Sequence, residues 1–383
     1  MHPHRLLALI LCMFPISVVA APVEFSNEGA RGVVPGDLLH SVARYLSSRV
    51  DVSGRSTRDG NQATNDLGLV SDDLVWSEHR LGLTYRDHHS RRDSKESSAW
   101  ALNYGFNVAK IDLDIAVHSR ESAGVKDIEE GRFDTESERR TITVTGRRDL
   151  YSWRGFAMSS LFSHSSGDAR VADALGGEEE SQYQISKFGV EVAKQQQWPL
   201  GFWSSANVRA IGGVDSRQTL DEQGRDATSD RFQKVSVAAE LNTDIRNWRL
   251  GLDGRYQIAP GPLPASERLQ LAGAGLSRGF HGQTRSAYEG GWLRVQADSP
   301  QVPMPVFYGA QSYLQLSLLR SYTPGSESNS RPGGGASVGE LSLQLDADDF
   351  MAAMSVGKML TVSDPAMTHV SRPSVSLSVL LSL

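Results

Sequence analysis

The sequence predicts an all-β protein, a transmembrane antiparallel β-barrel of about 16 strands with one unusually long outer loop. Three observations carry this. Apolar and polar residues alternate with period two along nearly the whole chain, while helical periodicity is scarce. Aromatic residues fall on the apolar face, often near strand ends, as interfacial girdles require. The polar face mixes glycine and alanine with its charges. That suits a crowded lumen better than the water-facing side of a soluble sandwich, the other fold that alternates in this way.

The first element is an export signal. "MHPHR" is a short positive segment, "LLALILCMFPISVV" is an apolar run, and Val18 and Ala20 suit a cut after Ala20. A membrane anchor fits less well, because the run is short and contains Pro15. Cys12 is the only cysteine, and Leu11 before it is wrong for a lipoprotein signal. The mature chain is therefore expected to use neither disulfides nor metal-binding thiolates. Residues 1–20 read as signal peptide, 21–41 as a short periplasmic segment and 42–383 as the barrel.

No later stretch approaches the apolar length of a membrane helix, so membrane entry requires a closed barrel. The formal charge of −6 and the absence of a long block of like charge argue against a nucleic-acid surface.

Strands are predicted near 42–52, 60–68, 73–86, 98–108, 110–119, 137–147, 150–163 and 182–194. The others lie near 201–213, 232–243, 247–257, 288–298, 304–319, 336–345, 350–361 and 373–383. The pattern is plainest where Trp100, Leu102, Tyr104, Phe106 and Val108 share one face, and where Ile111, Leu113, Ile115 and Val117 do. Trp248, Leu250, Leu252 and Tyr256 alternate with Arg249, Asp253, Arg255 and Gln257; Val375, Leu377 and Val379 alternate with serines. The run 60–68 barely alternates.

The gaps sort by length. Polar stretches 87–97, 120–136, 164–181, 214–231 and 320–335 fall on one side, and tight turns at Ala109, 148–149, 244–246 and 346–349 on the other. Long outside and short inside is the outer-membrane arrangement. The sorting requires 258–287 to be a single outer excursion, with "ERLQLAG" as one arm of that loop.

Three possible sites dissolve in context. "GASVG" matches G-x-S-x-G, but a Ser/Pro/Gly loop precedes it and alternating "ELSLQLD" follows, so no strand–elbow–helix is present. His88 and His89 sit in a predicted polar loop without neighbouring ligands. Asp112, Asp114 and His118 share a strand face that a polar lumen explains without catalysis. No catalytic set, metal site, phosphate loop or cofactor signature is expected.

One motif remains. "AGAGLSRGFHGQ" places Gly273, Gly275, Gly279 and Gly282 around Arg278 and Phe280. Together with "RFQKVSVAAEL", "LGLDGRYQ", "PLPASERLQLAGAGLSRGF" and "GGWLR", it resembles the barrel of two-partner secretion transporters (TpsB), the outer-membrane translocators of haemolysins and filamentous haemagglutinins. "RVDVSG" and "NDLGLVSDDL" look like that family's early signatures, and "AMSVGKML" like its penultimate strand.

The resemblance implies a sixth outer loop folded back into the lumen, its tip at Arg278, Gly279 and Phe280 held by a wall aspartate. A guanidinium in a confined lumen needs partners for its donors. Three departures stand out. Ser277 replaces a branched apolar residue. Gly309, in "VFYGAQ" and expected to face the lumen, occupies the aspartate position. Residues 21–41 are too few for the periplasmic POTRA domains of the family. Asp253, Glu240 or Glu340 is the expected substitute partner of Arg278.

The implied function is nucleotide-independent passage of a secreted polypeptide across the outer membrane of a Gram-negative bacterium. Bilayer lipid is a further partner, and a separate POTRA-bearing or periplasmic protein a possible one. No enzymatic activity is expected. The other reading is a passive pore, receptor or structural barrel that retains only the fold.

Overall fold

The computed structural model describes residues 50–59, 62–72, 78–90, 95–128, 131–173, 178–221, 224–304, 309–325, 333–347 and 350–382. The predicted signal peptide, the periplasmic segment and residues 42–49 of the first predicted strand lie outside them.

The wall begins with β1 (Val50–Asp59), β2 (Gln62–Asp72), β3 (Arg80–Ser90), β4 (Lys95–Val108), β5 (Ile111–Ile128) and β6 (Gly131–Trp153). It continues through β7 (Phe156–Asp173), β8 (Glu178–Gln197), β9 (Phe202–Asp221), β10 (Gly224–Ile245) and β11 (Trp248–Ile258). Two short strands, β12 (Leu269–Ala272) and β13 (Arg285–Ala287), pair only with each other in the loop that follows. The wall resumes with β14 (Gly290–Asp298), the stub β15 (Val302–Pro303), β16 (Gln311–Thr323), β17 (Gly334–Asp346), β18 (Phe350–Val362) and β19 (Ser374–Ser382).

Each wall strand pairs antiparallel with its neighbour, and β1 pairs with both β2 and β19. The ring therefore closes with sixteen long strands, β15 merely extending the ladder of β16. Closure leaves no sheet edge at membrane depth, where unpaired N–H and C=O groups would find no water.

The boundaries differ from expectation in an informative way. The first strand is described from Val50. Stretches 87–97, 120–136, 164–181 and 214–231, expected as loops, belong largely to the ladder. As a result β6 has 23 residues and β10 has 22, where about 9–11 suffice to cross a bilayer. Beyond the membrane both faces of a strand are wet, so alternation vanishes although pairing continues. Residues 148–149 are likewise strand. Their turn lies at Arg154 and Gly155, which take φ of 48° and 80°, after a register shift between Asp149 and Tyr151.

The two faces separate cleanly. Leu314, Leu316 and Leu318 are each about half exposed on the outward side of β16, while Leu319 on the other side is fully buried. Trp153, Phe156, Trp198 and Trp248 lie exposed near the tight turns, at the rim of the apolar band. In water such an exterior would forgo roughly 25 cal/mol per Å² of burial; in hydrocarbon it is the matched surface.

The inner face is cross-linked by charge across neighbouring strands. Arg86 meets Asp66 at 2.6 Å, and Arg294 meets Asp253 at 2.9 Å. Glu191 on β8 is buried between Arg147, at 2.8 Å, and Arg209. Arg147 also donates to Ser159 Oγ at 3.0 Å, and Ser159 donates to Asp149 at 2.7 Å. Glu191→Ala would leave two half-exposed guanidiniums facing each other. We expect it to cost about 2 kcal/mol, since solvent screens part of the loss. The check is a lower temperature for the heat-induced shift in gel migration.

Candidate functional site

After β11 the chain reads Ala-Pro-Gly-Pro-Leu-Pro, whose prolines cannot donate to a ladder, and it leaves the wall. Leu263 packs against Ile185 of β8 and Phe232 of β10. A single 3-10 turn, Ala265–Glu267, then buries the Glu267 carboxylate.

Glu267 is the first anchor. Its carboxylate accepts from Lys187 Nζ of β8 at 2.7 Å and meets Lys234 Nζ of β10 at 3.1 Å. Its main-chain carbonyl accepts from Lys234 Nζ at 2.8 Å and from Gln257 Nε2 of β11 at 3.2 Å. Gln257 also donates to the Tyr288 carbonyl at 3.0 Å, so one wall residue holds both ends of the loop. Burial pushes the Glu267 carboxyl up, but the hydrogen bond and charge of Lys187, joined by those of Lys234, outweigh it. The group therefore sits below the ordinary carboxylate value.

The tip is the second anchor. Gly273, at φ 155°, turns the chain and accepts from the amides of Leu276 and Ser277. Residues Arg278–Phe280 form one 3-10 turn capped by Ser277, whose Oγ accepts from Gly279 N at 3.2 Å. Phe280 is fully buried with Leu319, Val338 and Met359 from the inner faces of β16, β17 and β18. Gly279 lies directly on the backbone of β18: a Cβ there would stand 2.9 Å from Lys358 N. Reciprocally, a Cβ on Gly357 would stand 2.7 Å from Gly279 Cα.

A third set of bonds ties the returning arm to the last outer loop. Arg285 meets Asp364 at 2.9 Å, while Gln283 exchanges two hydrogen bonds with the main chain of Thr368. Strands β8 and β10 stand well round the ring from β17 and β18. One loop can touch both through inward-facing side chains only by crossing the lumen.

The expected pairing of Arg278 is not what forms. Its guanidinium has no carboxylate within 4.0 Å among the described residues. Asp253 is taken by Arg294, and Glu240 accepts from Asn242 Nδ2 at 2.6 Å. Glu340 does reach the tip, but it accepts from Ser277 Oγ at 2.7 Å and from the Arg278 backbone N–H at 2.9 Å. The hydroxyl of Ser277, a position where a branched apolar residue was expected, is what recruits this acid. Gly309 is not on a lumen-facing strand position either. It sits in the turn before β16 at φ 80°, a conformation that favours glycine.

Glu267, Lys187, Lys234 and Gly357 were not singled out in the sequence, and Gln257 only as one polar-face residue of its strand. The only signal was that both lysines fall on the inward parity of strands with apolar outer faces. Asp112, Asp114 and His118 remain wall residues, with Asp114 taking Arg80 at 3.5 Å and Asp112 accepting from Asn107 at 2.7 Å.

Two outcomes follow from this geometry. Gly357→Val should displace the tip, an overpacking cost of about 1–3 kcal/mol. Trypsin added to the membrane-embedded protein should then cut after Arg278, which the native protein resists. Because the Glu267 value is depressed on folding, its contribution is complete above pH 4.5 and fades as pH falls through the lower folded value. A cysteine placed at buried Ala272, its maleimide rate divided by that of free cysteine at the same pH to remove the loss of thiolate, should be strongly protected at pH 7 and lose that protection only below this window. In Glu267→Gln the protection should be weak throughout.

The Haemolysin secretion/activation protein ShlB/FhaC/HecB family model matches residues 40–323. Among solved structures, CdiB from Acinetobacter baumannii superposes with a TM-score of 0.66 at 15% identity, covering 88% of this chain and 60% of that one. CdiB from Escherichia coli gives 0.65 at 14% identity, covering 87% of this chain and 63% of that one. The chain thus spans less than two thirds of the length of these structures, and at such identities the likeness is one of fold. No curated protein matches the sequence.

Proposed function

The chain belongs to the haemolysin secretion/activation family of ShlB, FhaC and HecB, and from that premise we propose that it moves a secreted polypeptide outward through its lumen without nucleotide. The family is one of transporters, and the barrel resides in the outer membrane of a Gram-negative bacterium.

The supporting observation is that the lumen is polar and crossed by a loop fastened at discrete points. Inward-facing Thr141 and Thr143 of β6 and Ser165 of β7 are uncharged hydroxyl residues, with Thr143 and Ser165 3.0 Å apart. They can exchange hydrogen bonds with an extended backbone of any sequence. The loop is anchored instead on β8, β10, β11 and β17–β19. Swinging the tip off Gly357 exposes Phe280 and the apolar patch beneath it, so the closed state is favoured until a substrate compensates.

The loop then acts as a plug whose release is local. Glu267 and Gln257 keep its arms tethered while the tip at Arg278–Phe280 moves. Planar-bilayer recording tests this. The native barrel should show small, rare openings, and Gly357→Val should raise mean conductance several-fold through loss of the tip contact. Deleting the protein should also abolish release of its cognate secreted polypeptide into the medium. Unchanged release would reject translocation, and equal conductance in the two barrels would reject the plug.

A further inference from the structure

The outward face of the wall is not uniform. Along β14 and β16–β19, the described ladder positions that point outward carry two charges, and both are positive: Arg320 on β16 and Lys358 on β18. Neither side chain makes an ion pair among the described residues. The acids of these strands, Asp298, Glu340 and Asp346, have inward parity; Glu289, one residue before β14, is the carboxylate near this rim.

One hydrogen-bonded row leads away from Arg320. It pairs with Leu293, Leu293 with Gly254, Gly254 with Ala239, and Ala239 with Ala206. Three of these outward residues lack a side chain beyond Cβ, whereas Tyr256 and Leu252 rise on either side of Gly254. The result is a groove of about 820 Å³ with Arg320 and Tyr322 at one end.

Arg320 lies three residues from the outer end of β16, and Ala206 four residues from the inner start of β9. The tilt of the strands therefore carries the groove obliquely from the outer rim into the bilayer. Its volume is in the range of small-molecule sites, its floor is apolar, and it opens to hydrocarbon.

We propose that this groove binds one phosphate-bearing lipid of the outer leaflet. Its acyl chain lies in the Gly254–Ala239–Ala206 trough and its phosphate is held by Arg320. Bilayer hydrocarbon is what meets this face, and Arg320 and Lys358, without ion-pair partners among the described residues, outnumber Glu289 at the rim and so select an anionic headgroup. Lys358, two strands on, adds to the same field. A bound lipid would brace β9–β16 from outside, opposite the inner face where the plug is anchored.

Native mass spectrometry of the full chain released from detergent tests it, after heat-modifiable migration has confirmed that each variant is folded. The probes are phosphatidylglycerol, phosphatidylcholine with the same chains, and glycerol 3-phosphate. The native protein should retain one phosphatidylglycerol, about fivefold over phosphatidylcholine. Arg320→Gln should abolish that preference, Ala239→Leu should reduce retention of both lipids, and Arg148→Gln at the inner rim should change nothing. An undiminished preference in Arg320→Gln would overturn the proposal. So would glycerol 3-phosphate retained as well as the lipid, because the groove would then play no part.

Discussion

Everything in this molecule depends on closure of one hydrogen-bonded ladder, the pairing of β1 with β19. In hydrocarbon an unpaired backbone N–H or C=O has no solvent to turn to, so a spanning sheet must return to its first strand. Here the return runs from Ser53–Ser382 to Asp59–Ser376, seven residue pairs in register. Closure divides the side chains into two populations with opposite requirements. Outward positions answer to lipid, which tolerates leucine and glycine alike. Inward ones answer to a confined polar space, in which every charge needs a partner.

The lumen meets that second requirement in two ways. Wall charges pair with neighbours across a strand, as Arg294 does with Asp253 and Arg209 with Glu191. The loop supplies the remainder: Lys187 and Lys234 would face each other uncompensated without Glu267. The loop is thus part of the electrostatic balance of the barrel. Its apolar half serves the same end, because Leu319, Val338 and Met359 would otherwise be wet. Wall and loop are stabilised by the same contacts, and in the proposed gating an opening of the pore must temporarily undo both.

The division of labour along the loop also shows how the tip is held without a carboxylate on the Arg278 guanidinium. With glycine at 309, the tip is held through its backbone: Glu340 reads the Arg278 amide, and the Gly279–Gly357 contact leaves no room for a side chain on either partner. Long-range charge is moved to Glu267, eleven residues before the tip. Neither anchor uses the Arg278 guanidinium: one holds lysines and main chain, the other the Ser277 hydroxyl, the Arg278 amide and the Phe280 ring.

Much of this was legible from residues alone. Alternation such as Leu314, Leu316 and Leu318 encodes which face meets lipid, because a single strand carries that information by itself. The number of strands and the one long excursion with its Arg-Gly-Phe tip followed from the same local pattern. Strand ends were misread wherever ladders continue into water, since Glu121–Ile128 and Gly131–Thr135 pair regularly while polar residues fall on both their faces. What only the tertiary structure decided is which residues meet across the lumen. Lys187 and Glu267 are 80 positions apart, and Gly279 and Gly357 nearly as far. Contacts of that kind depend on the registers of many strands and on the curvature of a closed ring. Neither leaves a mark on local sequence, so the sequence by itself determined the wall and the position of the loop, and closure alone decided what the loop would hold.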